Sequence, residues 1–78
     1  MNDEYTWEFQ NHQYSMPAIW TLLKNGAYTG QYLVKGGRKS PGWYVWYGYI
    51  QIARLNPNLT LDEAKDAAKL LLLTHSQS

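Results

Sequence analysis

Apolar and polar positions alternate with a period of two at the start of the chain, where Tyr5, Trp7 and Phe9 are interleaved with Thr6, Glu8 and Gln10. One apolar and one polar face is the pattern of a half-buried strand. Ala27 to Lys35 reads as a second strand, with Tyr28, Tyr32 and Val34 on one face and Leu33 on the other. From Trp43 to Arg54 the alternation disappears. The run Trp43-Tyr44-Val45-Trp46-Tyr47-Gly48-Tyr49-Ile50-Gln51-Ile52 is apolar on both faces, which predicts one long strand at least partly covered on each side. Gly48 in its middle predicts a bulge or a close backbone approach. Lys35-Gly36-Gly37-Arg38-Lys39-Ser40-Pro41-Gly42 joins the last two strands as a hairpin loop too long for a two-residue turn.

After the strands the period changes to that of a helix. Asn56-Pro57-Asn58 breaks the chain, Thr60 and Glu63 form a T-x-x-E capping box, and Leu59 and Ala64 are spaced as a hydrophobic staple. The expected helix runs from about Leu61 to Thr74, with Leu61, Ala64, Ala67, Ala68, Leu71, Leu72 and His75 on one face and a frayed tail over 75–78. Leu70 and Leu73 project from the charged face with Asp62, Glu63, Asp66 and Lys69, where they either cover another part of the chain or meet a protein; a homodimer is one such contact. Residues 15–26 admit two readings. Ser15 before Met16-Pro17 starts a helix and Lys24-Asn25-Gly26 stops one, so a short helix is expected, because Pro17 suits a first helical turn. The rival is a strand from Ala18 to Leu23 turning at Asn25-Gly26. The expected fold is a single α+β domain: a small antiparallel sheet of about three strands with the C-terminal helix on one face.

With 78 residues and no cysteine, the domain has neither disulfides nor thiolate metal ligands, and four Trp, seven Tyr and one Phe must supply much of its packing. No apolar run is long enough to span a bilayer and the polar, acidic start is no signal peptide, so a cytoplasmic domain without membrane contact is expected. The net charge of +1 conceals an uneven distribution. Between Phe9 and Leu61 there is no acid, while Lys24, Lys35, Arg38, Lys39 and Arg54 all lie there. Such segregation favours a basic patch unless folding brings the acids alongside.

Catalysis has little material. His12 falls in an expected loop, His75 is explained by the helix dipole, and no nucleophile elbow or triad spacing exists. No catalytic residue, metal ligand or cofactor is assigned, and the domain reads as a non-enzyme. The loop after Lys35 lacks the G-x-x-x-x-G-K-[ST] spacing of a nucleotide site, yet Lys35, Arg38, Lys39 and Arg54 are placed to touch nucleic-acid phosphates. The excess of Tyr over Phe points towards a half-wet surface, since a phenol at an interface keeps its hydrogen bond to water. Trp43, Tyr44, Trp46, Tyr47 and Tyr49 cannot all face one layer. Those left uncovered are expected to bind a partner, with Arg38 and Lys39 steering it.

Tyr28-Thr29-Gly30-Gln31-Tyr32, Trp43-Tyr44-Val45-Trp46-Tyr47 and the helix opening Thr60-Leu61-Asp62-Glu63-Ala64-Lys65 together resemble a pattern of small phage and prophage accessory proteins, over roughly residues 28–72. The resemblance implies a host-modulating or anti-defence inhibitor or adaptor that binds a host protein or ribonucleoprotein. The order of three strands and a helix is also similar to AP2-type and integrase arm-binding DNA domains. This chain departs from them by carrying Tyr and Trp where a basic sheet is expected. The alternative expectation is a small nucleic-acid-binding protein that stacks bases on its aromatics.

Overall fold

The computed structural model describes residues 3–10 and 18–76 of the chain. His12 and the Ser15-Met16-Pro17 helix start lie outside them. The chain forms an α+β domain in which five antiparallel strands follow one another in space as they do in sequence: β1 (Tyr5–Gln10), β2 (Ile19–Lys24), β3 (Ala27–Lys35), β4 (Trp43–Tyr47) and β5 (Ile50–Leu55). The helix α1 (Leu61–Ser76) ends the sequence of elements and lies over β3 and β4.

Five strands replace the expected three for two local reasons. Residues 19–24 are the strand β2, so the rival reading of this segment holds. Asn25 and Gly26 both adopt positive φ, at 51° and 83°, the geometry of a two-residue hairpin whose twist matches the flanking strands. Asn25 also closes that end, because Glu4 N–H donates to its side-chain oxygen at 2.9 Å and its own N–H donates to the Glu4 carbonyl at 2.7 Å. The expected long strand is likewise two strands. Gly48, with φ of 64°, is the first central residue of a two-residue turn in which Tyr47 pairs with Ile50. The bulge lies further on, where Val45 pairs with Ala53 and Trp46 with Gln51, leaving Ile52 extra. Consecutive Ile52 and Ala53 thereby both pack against the core.

The helix begins as its capping box dictates. Glu63 N–H donates to Thr60 Oγ1 at 3.2 Å and Thr60 N–H donates to the Glu63 carboxylate at 2.9 Å. It extends to Ser76, two residues beyond the expected end, so His75 belongs to the helix. The core lies between α1 and one side of the sheet. Leu22, Leu33, Val45, Ala64, Ala68 and Leu72 are fully buried there, with Trp20 and Trp43 nearly so. Small Ala64 and Ala68 let the helix approach closely, and Trp43 Nε1–H donates to the Leu59 carbonyl at 3.2 Å, tying the helix entrance to β4. Leu61, Ala64, Ala68 and Leu72 face inward as expected, whereas Leu71 at the edge of that stripe remains 37% exposed.

Candidate partner-binding face

Because strand side chains alternate, fixing Trp20, Leu22, Leu33, Trp43 and Val45 under the helix sends their neighbours to the opposite side. The registers align those neighbours in rows across the sheet. One row runs Glu8, Thr21, Tyr32, Trp46, Gln51; the next runs Gln10, Ile19, Val34, Tyr44, Arg54. Leu23 and Tyr28 form part of a third. Among the described residues, no helix or second sheet covers this side. Gln10, Ile19, Tyr32, Val34, Trp46 and Gly48 surround a largely apolar hollow of about 190 Å³ in it.

The polar members of the face are partly committed. Tyr28 is 65% exposed, and its phenol pKa is raised by a hydrogen bond to Glu8, by the Glu8 charge and, least, by desolvation. Thr21 is 1% exposed, and its hydroxyl has no hydrogen-bond partner among the described residues. The Tyr44 hydroxyl donates to the Ser40 carbonyl at 2.8 Å, while the Arg54 guanidinium lies 5.8 Å from the Tyr44 ring centre and donates to the Pro41 carbonyl at 2.6 Å.

The expected aromatic anchors divide. Tyr44 and Trp46 belong to the open face. Trp43 is on the other side, 4% exposed beneath the helix, and offers no surface for a partner. Tyr47 shares that side and meets the His75 ring edge-on at 4.7 Å. Tyr49 sits at the tip of the β4–β5 turn, fully exposed. Arg38 and Lys39 are exposed in the loop after β3, and Arg54 stands at its base; Lys35 turns to the helix side, its Nζ 5.7 Å from the Trp43 ring centre. Leu70 is 68% exposed, but Leu73 is half-buried and in contact, so the two do not form a shared exposed pair.

Sequence reasoning missed Ile19, Tyr32 and Val34 as site residues. The signal for two of them was present, since Tyr32 and Val34 already shared a face of the expected strand. What was lacking was β2, which brings Ile19 beside them. No helix among the described residues is long and apolar enough to cross a membrane. No protein-family model matches the chain, and neither a curated protein nor a solved structure does.

Proposed function

We propose that the chain is a non-enzymatic interaction module that docks a protein on the open face of its sheet, acting as a phage-type inhibitor or adaptor towards a host protein or ribonucleoprotein. The observation that supports this is the hollow framed by Trp46, Tyr32, Ile19 and Val34 on a face left bare by the helix. A side chain inserted there is desolvated by an indole and a phenol ring, the residue types that most often dominate binding energy at protein interfaces. Arg54, at the end of the second row, adds a positive charge on the margin, where charge acts mainly on encounter rate.

The test is capture of partners from host lysate, with and without nuclease, by the parent chain and by Trp46→Ala and Tyr32→Ala. Each variant is expected to lose the captured protein while retaining the parent circular dichroism spectrum. Replacing one such anchor typically costs about 2 kcal/mol or more of binding. Retention of the partner by both variants, or its loss only in unfolded protein, would exclude the open face as the docking surface.

A further inference from the structure

The loop between β3 and β4 is closed on itself. Gly36 N–H donates to the Gly42 carbonyl at 2.8 Å, Tyr44 holds the Ser40 carbonyl from one side, and Arg54 holds the Pro41 carbonyl from the next strand. Gly36 is required by this closure, since a Cβ there would overlap the Ser40 carbonyl oxygen and sit 2.8 Å from the Tyr44 ring. Seven residues, Gly36 to Gly42, are thus drawn into a ring with Arg38 and Lys39 in its outer half. A solvated hairpin tip does not need three such ties.

Charge at the ring is not neutralised. Lys24 pairs with Asp3 at 3.5 Å, but among the described residues Arg38, Lys39 and Arg54 are in no ion pair. Of the acids at the helix start, Glu63 is committed to Thr60, and among the described residues neither Asp62 nor Asp66 is in an ion pair with the ring cations. Lys35, directed towards Trp43, leaves the set, so three cations remain: two in the ring and one bracing it from β5.

We infer that this braced loop, which adjoins the open face through Tyr44 and Arg54, is a second binding site, for the phosphate backbone of nucleic acid. Guanidinium groups match phosphate oxygens with paired donors, and a closed loop forfeits less conformational entropy on binding than a free one. The Tyr44 ring is occupied by Arg54 and its hydroxyl by Ser40, so the contact is to backbone with no base stacked there. Recognition is consequently independent of sequence. If both sites operate, the partner class is a nucleoprotein.

The probes are fluorescein-labelled oligouridylate and oligothymidylate, read by polarisation. On single strands, three phosphate contacts predict an affinity that falls roughly twentyfold between about 50 mM and about 200 mM salt. R38E/K39E abolishes binding. Gly36→Ala, which retains every charge, weakens it, and Trp46→Ala leaves it unchanged. The inference is overturned by absence of binding at the lower salt, by full affinity in R38E/K39E or Gly36→Ala, or by equal competition from polyglutamate at matched charge. A parallel loss in Trp46→Ala would also overturn it, by moving the nucleic acid onto the open face. Loss of oligonucleotide binding with protein capture intact leaves the docking proposal standing, and the converse result leaves the loop site standing.

Discussion

Thr21 occupies an unusual position: one of the most buried side chains of the domain, it is among the described residues the only buried polar one and has no hydrogen-bond partner for its hydroxyl there. A buried hydroxyl that has surrendered water without gaining a protein partner costs about 1–3 kcal/mol. Valine has nearly the same shape, suits a strand and carries no such penalty. Thr21→Val is therefore expected to stabilise the domain by about 1 kcal/mol, which for a chain of this size raises Tm by roughly 4–8 °C. Differential scanning calorimetry reads this directly. An unchanged or lower Tm would show that the hydroxyl is satisfied in solution.

At the level of elements, the parts of the fold legible in the sequence are those specified by chemistry within a few residues. The start of α1 is one, because Thr60 and Glu63 satisfy each other's backbone donors without tertiary help. The Glu63 carboxyl is held below its ordinary value of 4.5 by the Thr60 backbone hydrogen bond and then by the Thr60 hydroxyl, against a small opposing desolvation. A lowered carboxyl pKa contributes stability that is complete above pH 4.5 and is lost as pH falls through the folded-state value. Thr60→Ala should cost about 1 kcal/mol near neutrality. Glu63→Gln should flatten the acid side of the Tm-versus-pH curve; parallel acid profiles for parent and variant would contradict the box. β3 and its loop were legible for a similar reason, local alternation followed by Gly and Pro. β2 was legible only as the rival reading, because Ser15 and Pro17 compose a helix start while Asn25-Gly26 serves a helix stop or a hairpin turn equally, and pairing with β1 and β3 decides for the strand. The β4–β5 turn was hidden too, since Gly48 and Tyr49 sit within an unbroken aromatic run and a two-residue turn needs no polar residue beyond its glycine. The split of Trp43 and Tyr47 from Tyr44 and Trp46 followed from alternation alone, but which pair the helix covers depended on tertiary packing.

On the scale of the whole molecule, one helix has to cover a five-stranded sheet. Outer strands lie about 19 Å apart at a spacing of about 4.8 Å, and a helix with its side chains is about 10–12 Å across. Half the width is therefore shielded, which explains why Phe9 and Ile50, on the helix side but at the two edges, remain 51% and 66% exposed. The same arithmetic leaves, among the described residues, a single buried core shared by β2, β3, β4 and α1, with no second cluster to stabilise the sheet alone. Total stability for 78 residues is about 4–12 kcal/mol, and truncating a fully buried leucine to alanine removes about 2–5 kcal/mol. Leu72, fully buried on the helix, thus accounts for a large fraction of the balance. Leu72→Ala is expected to lower Tm sharply and to preserve one transition, with the ellipticity of α1 and the fluorescence of Trp20 and Trp43 melting together. Coincidence follows because Trp20 contacts Trp43 at 5.8 Å between ring centres and Trp43 is bonded to the helix entrance at Leu59. Were the helix signal to disappear at a temperature where tryptophan emission stays native, the sheet would be stable without its cover, and a second apolar face would then be available to partners.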